Sequence, residues 1–283
     1  MILSSTLLPL SATSVAAVAY GLAAAWPARR SASDASLRQT SLGRDQAWWL
    51  LAAGWVAHAI AFCVEAIDWH APTPMARFGF APALSVTAWM VLGVYALERL
   101  QLDSVIARRS LAALAAASVV LAFVFPGQGH PNLSHGLAPI HWVLGLVSYG
   151  LFGAALLHAV LWRLTERRLR HKGLDRPTPP TGIPLLKLES LTMRFVLAGF
   201  VVLTLTLVLG ALFAQPLRWD HKTLFSVMSW AVFAVLLAGR RWLGWRGKTA
   251  IGWLYAGSAL LLLSYVGSRF VLEVLLQRGI PSA

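Results

Sequence analysis

The chain has 283 residues, of which 58% are hydrophobic and only 12% are charged, and its mean hydropathy is +0.66. Soluble domains carry about a quarter of their residues as charged groups, so this composition excludes a soluble globular protein and indicates a polytopic membrane protein. The net charge of +13 does not indicate a nucleic-acid partner, because the basic residues lie in the connections between apolar runs, where they orient the spans. Membrane lipids are the expected surroundings, and the inner (plasma) membrane is the expected location.

Eight apolar runs approach the length that a helix needs to span a bilayer. They are residues 6–26, 46–67, 79–97, 110–125, 139–162, 195–214, 223–238 and 250–268. Arg29 and Arg30 follow the first run, whereas a secretory signal carries its basic residues before the apolar core, so we expect a retained first span. The sequence predicts an all-α bundle of eight transmembrane helices in a single transmembrane domain, residues 1–283.

The basic residues alternate strongly between connections. Of the 24 Lys and Arg residues, 19 follow the first, third, fifth and seventh runs, and five lie in the remaining segments. The positive-inside rule places the 19 in the cytoplasm, which predicts that both termini are outside. The longest connection, residues 163–194, is basic and contains four prolines, and we interpret it as a cytoplasmic linker without a packed core.

Cys63 is the sole cysteine and lies inside an apolar run. The chain therefore has no internal disulfide, no Cys-x-x-Cys redox pair and no Cys-x-x-Cys-His site for covalent haem attachment. We expect this residue to pack as a small apolar side chain.

A short polar stretch, Arg218-Trp219-Asp220-His221-Lys222, stands directly before the seventh run. One interpretation is an ordinary helix start, in which Trp219 anchors at the membrane interface and Asp220 caps the helix. In that case Lys222 contacts lipid headgroups and His221 has no special role. The other interpretation is a ligand site, because an aromatic ring, an acid, an imidazole and two bases are concentrated here.

Histidines are concentrated on the predicted outer side. Those at or beyond the outer ends of spans are His70, His130, His135, His141 and His221. His58 and His158 instead lie within predicted spans, where an ionisable group is costly enough to indicate a partner or a function. The alternative for each is a neutral imidazole that is hydrogen-bonded to a neighbouring helix. Glu65 lies two turns beyond His58 on the same helical face and is a candidate to orient it.

Haem is a better candidate ligand than zinc. The chain lacks His-Glu-x-x-His, paired cysteines and clustered carboxylates, whereas haem needs one or two axial imidazoles, an apolar pocket and cations for its propionates. His141 and His221 open the fifth and seventh runs and meet this need if their helices are neighbours. Trp142 and Trp219 would flank the porphyrin ring, and Arg218 or Lys222 would bind a propionate. Asp220 lies between these two basic residues in the sequence and is included in the candidate site. His58 and His158 differ in predicted depth by roughly 12 Å, which makes that pair less suitable.

Several stretches resemble the cytochrome c assembly protein family, the CcsA- and CcmC-like haem-handling proteins. Pro139-Ile140-His141-Trp142-Val143-Leu144-Gly145 resembles the histidine-led span of that family. Trp219-Asp220-His221-Lys222-Thr223 resembles the end of its tryptophan-rich periplasmic motif, Trp-Asp-Pro-Lys-Glu. Trp245-Arg246-Gly247-Lys248 and Tyr265-Val266-Gly267-Ser268-Arg269-Phe270 are similar to the short HemX/YpjD branch. The resemblance implies that His141 corresponds to the first periplasmic haem ligand, and that His58 and His158 are candidates for the transmembrane histidines.

The chain departs from the family pattern at the position of the second ligand. His221 and Thr223 replace the proline and glutamate of the motif, and the preceding Trp-Gly-x-x-Trp portion is missing. The second periplasmic histidine of the family is expected after the last span, but residues 267–283 contain no histidine. Either His221 takes its place, or this branch has lost stable haem ligation and kept the scaffold.

Two functions follow from these patterns. The first is a non-enzymatic membrane protein that binds or presents haem at its outer face by bis-histidine ligation, together with other cytochrome c biogenesis proteins. The alternative is an accessory or regulatory membrane subunit that binds no haem and acts through protein contacts. A transporter is less favoured because no pair of broken spans is evident, and an enzyme because no nucleophile–base pair or metal cluster stands out.

Overall fold

The computed structural model of the chain describes residues 2–26, 36–68, 75–98, 104–130, 137–171, 184–213 and 220–275. The chain separates into two compact units. Unit 1 comprises Met1–Leu97 and Asp103–Gly129, and unit 2 comprises Glu98–Leu102 and His130–Ala283. Two of the predicted site residues, Arg218 and Trp219, lie outside the described residues.

Unit 1 contains four long helices. They are α1 Ile2–Ala25, α2 Ser36–Glu65, α3 Phe80–Leu97 and α4 Val105–Val124. Helix α1 packs against both α2 and α4, and α3 packs against α4. The start of α4 is fixed by Ser104, whose side chain accepts a hydrogen bond from the Ala107 N–H at 3.3 Å and so satisfies one of the donors that a helix start leaves open.

Two tryptophans join α2 to α3 in the middle of unit 1. The rings of Trp55 and Trp89 stack with centroids 4.4 Å apart. Each indole N–H donates to the backbone carbonyl of the other residue, at 3.0 Å and 2.9 Å. Inside a bilayer an indole N–H needs a protein acceptor, so this reciprocal pair buries two large rings without leaving a donor unpaired.

A small sheet adds to the helices and was not predicted. Its strands are β1 Ile67–Asp68, β2 Met75–Phe78 and β3 Gln128–His130, in the order β1-β2-β3. Strands β1 and β2 are antiparallel, with Ile67 opposite Ala76. Strands this short have no room for the alternating pattern that identifies a strand in a sequence.

Unit 2 contains the helices that carry the predicted site. They are α5 Ala138–His171, α6 Leu185–Phe213, α7 His221–Trp242 and α8 Gly247–Leu262, followed by the π-helix π1 Leu263–Gly267, the short α9 Ser268–Phe270 and the π-helix π2 Val271–Leu275. Helix α5 packs along α6, and α7 packs along α8. Phe152 of α5 stacks on Phe233 of α7, with centroids 3.9 Å apart and ring planes 8° apart, which makes α5 and α7 neighbours.

The turn between α7 and α8 depends on glycine. Gly244 and Gly247 have φ angles of +68° and +56°, in the left-handed region that side chains with a Cβ rarely adopt. The N–H groups of Leu243 and Trp245 donate to the Gly239 carbonyl at 2.9 Å and 3.2 Å, which satisfies the end of α7. The chain therefore reverses within a few residues, and α8 returns along α7.

Seven helices of the described chain are long and apolar enough to cross a membrane. They are Gln46–Glu65, Phe80–Leu97, Val105–Val124, Ala138–Arg170, Leu185–Leu212, His221–Trp242 and Gly247–Leu275, and a shorter apolar helix covers Pro9–Ala25. A helical, multi-pass membrane protein is therefore confirmed. Eight spans with both termini outside, in one transmembrane domain, stay a prediction.

Helices extend into both ends of the predicted linker, residues 163–194. Helix α5 continues to His171 and α6 begins at Leu185, while residues 172–183 lie outside the described part. The extension of α5 is supported by Glu166, which accepts hydrogen bonds from Arg170 one turn later at 2.8 Å and 3.1 Å. Such pairs stabilise a helix beyond its apolar run. The cytoplasmic position of the linker stays a prediction.

Two glycines of α8 offer a matched test of this packing. A Cβ at Gly257 would lie 2.7 Å and 2.8 Å from ring carbons of Phe233, whose side chain is fully buried, whereas a Cβ at Gly252 would meet nothing within 4 Å. We expect Gly257→Ala to lower the stability of the detergent-solubilised protein by about 1–3 kcal/mol through overpacking. Gly252→Ala should leave it unchanged or raise it by up to about 1 kcal/mol. Thermal unfolding measures both, and equal midpoints for the two variants would contradict the packing.

Candidate functional site

His141 lies in the first turns of α5 and is held by α6. Its Nδ1 lies 3.0 Å from the backbone oxygen of Thr206. A carbonyl oxygen only accepts, so Nδ1 carries the proton and donates it to this hydrogen bond. In the neutral imidazole the lone pair is then on Nε2, which has no protein partner among the described residues. A half-buried imidazole in this tautomer is ready to ligate a metal through Nε2.

The approach of this imidazole to α6 depends on Gly210. The Thr206 carbonyl points along α6 toward Gly210, one turn later, and a carbonyl oxygen has a second lone pair for His141. A side chain at position 210 would cover that carbonyl, because helical side chains lean toward the preceding turn. A Cβ at Gly210 would lie 2.9 Å from Cε1 of His141. The absent side chain therefore makes room for the ring.

Asp220 fixes the start of α7. Its Oδ1 accepts hydrogen bonds from the N–H and from the hydroxyl of Thr223, both at 2.8 Å, so it is the N-cap of α7. Partial burial acts to raise the pKa of the Asp220 carboxyl, but the two hydrogen bonds and the charges of Lys222 and His221 outweigh it, and that pKa lies below its ordinary value. The carboxylate therefore stays charged at neutral pH and positions the two exposed residues that follow it, His221 and Lys222.

The starts of α5 and α7 lie at the same end of unit 2, which we call the His141 end. The charge of Lys222 acts on the imidazole of His141. Deeper in the unit, Phe152 and Phe233 stack and fix the two helices side by side. His221 immediately precedes Lys222, so the two predicted iron ligands stand at the starts of neighbouring helices. Their joint ligation of one iron stays a prediction.

The π-helix π1 brings a further aromatic ring to this end. The widened turn is supported by hydroxyl groups: Tyr149 of α5 and Ser264 both donate to the Leu261 carbonyl, the second at 2.7 Å. Ser268 donates to the Ser264 carbonyl at 2.8 Å. In a π-turn some backbone carbonyls lose the N–H donor that a regular α-helix would supply, and these side-chain hydroxyls donate to them instead. Single π-turns inside helices are frequent at functional sites.

Tyr265, within π1, lies close to two cations. The Lys222 ammonium lies 5.2 Å from the centroid of its ring, and the Arg269 guanidinium lies 6.0 Å from it. Arg269 also donates a hydrogen bond to the Tyr265 hydroxyl and lies 3.9 Å from the carboxylate of Glu273, one turn later. The His141 end thus combines an imidazole, an aromatic ring and two cations.

His58 is fully buried in unit 1 and is occupied by protein partners. Its Nδ1 lies 3.3 Å from the Tyr20 hydroxyl and its Nε2 lies 2.7 Å from the Ser85 hydroxyl. The partners come from α1 and α3 and differ from the Glu65 that the sequence suggested. Glu65 instead accepts a hydrogen bond from Thr13 at 3.4 Å. His58 matches the interpretation of an imidazole that joins neighbouring helices.

His158 is likewise fully buried, in unit 2. Its Nδ1 donates to the Ala154 carbonyl of its own helix at 2.7 Å, and its Nε2 lies 2.7 Å from the carboxyl of Glu98, which belongs to the same unit. The ring also stacks on Phe195, with centroids 5.2 Å apart. Both nitrogens are therefore engaged, and iron ligation would require His158 to release Glu98.

Several residues at the His141 end were not identified as site residues from the sequence. Thr206 contributes a backbone carbonyl and Gly210 contributes an absent side chain, and neither has a recognisable motif. Tyr265 and Arg269 belong to a stretch that resembles the HemX/YpjD branch, and this resemblance could have identified them as candidate site residues. Trp142 follows His141 on α5 and is half-buried. Within the described residues, no group of three or more His, Cys, Asp or Glu side chains could hold a metal ion.

The fold and the site define a class of protein. It is a multi-pass helical membrane protein whose histidine-led helix keeps one imidazole nitrogen available for a metal. The sequence model of the Cytochrome C assembly protein family matches residues 49–276. The chain belongs to this family. The matched range begins within α2 of unit 1, so it leaves out α1, and it includes every described residue of unit 2.

Two relatives show how the similarity is distributed. The inner membrane protein YpjD of Escherichia coli K12 is 31% identical over 170 residues, which make up 58% of this chain and 63% of YpjD. The cytochrome c biogenesis protein CcsA of Prochlorococcus marinus is 30% identical over 105 residues, 35% of this chain and 33% of CcsA. The chain therefore spans just under two thirds of the length of YpjD and one third of CcsA. No solved structure matches the chain significantly.

Crowding the ring of His141 should disturb its tautomer. In ¹⁵N NMR spectra of histidine-labelled protein, we expect His141 to show a protonated Nδ1 and an unprotonated Nε2. Gly210→Ala should shift both resonances, because the added Cβ would lie 2.9 Å from Cε1 and the hydrogen bond, worth about 0.5–1.5 kcal/mol, would weaken. Gly145→Ala is the matched control, since its Cβ would meet Thr206 at an ordinary 3.9 Å. Unchanged His141 resonances in the Gly210 variant would contradict this geometry.

Proposed function

We propose that this protein binds haem as a cargo at the His141 end of unit 2 and presents it during c-type cytochrome biogenesis. His141 and His221 are the proposed axial ligands of the iron. The observation that carries this proposal is the hydrogen bond from Nδ1 of His141 to the Thr206 carbonyl, which directs the lone pair of Nε2 away from α6. An outer hydrogen bond of this kind fixes the ring and raises the basicity of a metal-ligating imidazole.

The other groups at this end suit the chemistry of haem. A porphyrin needs axial imidazoles, apolar and aromatic contacts and cations for its carboxylates. Trp142 adjoins His141 on α5, and Lys222 supplies a cation whose charge already acts on His141. Asp220 contributes by fixing the start of α7, and with it His221 and Lys222. Trp219 and Arg218 precede Asp220 in the sequence, and their contact with the ring and with a propionate is part of the proposal.

Family membership supports the same assignment. The family is described as cytochrome c assembly proteins, and CcsA is a cytochrome c biogenesis protein. The distribution of basic residues supports an outer position for the His141 end, which is the side on which the resemblance implies that haem is handled. The proposed role is transfer without catalysis: the protein holds the ring until another cytochrome c biogenesis protein accepts it.

A second candidate is an accessory or regulatory membrane subunit that binds no haem. The observation that favours it is the state of the two buried histidines, since His58 and His158 each have both ring nitrogens occupied by protein groups. In this case the family scaffold is kept and the protein acts through contacts with other proteins.

Absorbance spectroscopy of the purified protein separates the two functions. We expect a Soret band after addition of ferric haem, and we expect His141→Ala and His221→Ala each to weaken haem binding. Loss of an outer hydrogen-bond partner of a metal ligand typically costs about 10–100-fold in affinity, and loss of the ligand itself should cost at least as much. The double variant should bind no more haem than the weaker single variant.

His171→Ala is the control for these substitutions. His171 ends the same helix, α5, roughly 45 Å from His141 at about 1.5 Å per residue, so its removal should leave the band unchanged. Absence of a specific Soret band in the unsubstituted protein, or equal bands in all variants, would remove the haem proposal in favour of the accessory subunit.

A further inference from the structure

Two cations from distant parts of the chain share one aromatic ring at the His141 end. Lys222 lies in the first turn of α7 and Arg269 lies in α9, and both side chains lie over the ring of Tyr265 of π1, at 5.2 Å and 6.0 Å from its centroid. The two cations are close because each lies within about 6 Å of the centroid of the same ring. Each cation faces the ring, where the negative face of the π-system attracts it and offsets part of their mutual repulsion.

The acids around this cluster are already engaged. The charge of Asp220 reaches Lys222, but its Oδ1 accepts two hydrogen bonds from Thr223 at the start of α7. Glu273 lies 3.9 Å from Arg269, which is an ion pair longer than a hydrogen bond. In the described part of the chain, the exposed Lys222 ammonium contacts the Tyr265 face and donates to no carboxylate. Its N–H donors are therefore available to a ligand.

The cluster lies at the same end of unit 2 as His141, because Tyr149, two turns after His141 on α5, donates to the Leu261 carbonyl next to π1. The charge of Lys222 acts on both the His141 ring and the Arg269 guanidinium. An available Nε2 lone pair and an available ammonium thus lie at the same end of unit 2. A flat aromatic ligand that carries a metal at its centre and carboxylates at its edge can use both groups at once.

We propose that Lys222 and Arg269, which both lie over the ring of Tyr265, form a carboxylate-binding subsite that selects a porphyrin diacid over a neutral porphyrin. The inference deepens the proposed function and rests on it, because it assigns residues to the edge of the same ligand. Arg269 moves its contact from Glu273 to a ligand carboxylate, and Lys222 keeps its place over Tyr265 while it donates to the ligand. Hydrogen bonds between a cation and a carboxylate are stronger than hydrogen bonds between neutral groups.

Metal-free protoporphyrin IX tests the subsite without iron ligation. Binding of the diacid and of its dimethyl ester to the full-length protein in phosphatidylcholine nanodiscs is followed by porphyrin fluorescence. We expect the diacid to bind about 10-fold more tightly than the ester, and we expect this preference to fall to less than about 3-fold in Arg269→Gln and in Lys222→Gln. Arg269→Lys keeps the charge and should retain part of the preference.

The controls separate this subsite from the iron ligands. Arg241→Gln changes an exposed arginine at the opposite end of α7 and should keep the full preference. A missing Soret band with ferric haem, together with an intact preference for the diacid, would remove iron ligation and leave the subsite standing. Equal binding of diacid and ester, no binding of either, or a preference unchanged in both variants at Lys222 and Arg269, would overturn the subsite.

The same cations would suit a phospholipid headgroup, and the lipid composition distinguishes the two sources of anion. Phosphatidylglycerol replaces phosphatidylcholine in a second set of nanodiscs. We expect the preference for the diacid to persist there, reduced at most severalfold by competition and by the negative surface potential. Enrichment of phosphatidylglycerol around the protein that is lost in Arg269→Gln, with no preference between diacid and ester in either lipid, would assign the cluster to lipid and overturn the proposal.

Discussion

The hydrogen bond between Nδ1 of His141 and the Thr206 carbonyl is the interaction on which the candidate site depends. It couples the start of α5 to α6, it sets which nitrogen of the ring carries the proton, and it aims the other nitrogen away from the protein backbone. The contact exists because Gly210 leaves the carbonyl uncovered. A backbone carbonyl does not change its protonation with pH, so the acceptor that orients His141 is kept as long as α6 is intact.

Three histidines of the described spans, His58, His141 and His158, differ in how many of their ring nitrogens have protein partners. In hydrocarbon every polar group needs a partner from the protein. His58 and His158 are fully buried, and both nitrogens of each ring have partners from the protein. His141 has one protein partner and is only half-buried at a helix start, where a ligand can reach it. The number of occupied nitrogens therefore distinguishes a structural histidine from a candidate ligand better than depth in the span does.

Much of the fold could be predicted from the sequence, because a bilayer forces long apolar runs into helices whatever their detailed composition. The cap at Asp220 could be predicted too, since an aspartate directly before an apolar run is a strong local signal. The extension of α5 past residue 162 could not, because it depends on charge pairs such as Glu166 with Arg170. The π-turn at Tyr265 also escaped prediction, since it is stabilised by Tyr149, which lies more than a hundred residues earlier in the chain.

The candidate site was predicted in part for the same reason. Residue types that carry chemistry, such as His141, His221 and Lys222, can be read from a sequence. Their supports are a carbonyl at Thr206, a missing side chain at Gly210 and an arginine on another helix, Arg269, and these become visible only when the helices are packed. Family membership accounts for the scaffold, while the arrangement at the His141 end is read from the packed helices of this chain.

The central claim is that imidazoles from α5 and α7 occupy both axial positions of one haem iron. Low-temperature electron paramagnetic resonance of the ferric haem complex tests it most directly, because the spectrum reports the number and type of axial ligands. The account predicts a low-spin, bis-imidazole signal that becomes high-spin when either His141 or His221 is replaced by alanine. A high-spin signal from the unsubstituted protein, or a low-spin signal that survives both replacements, would contradict it.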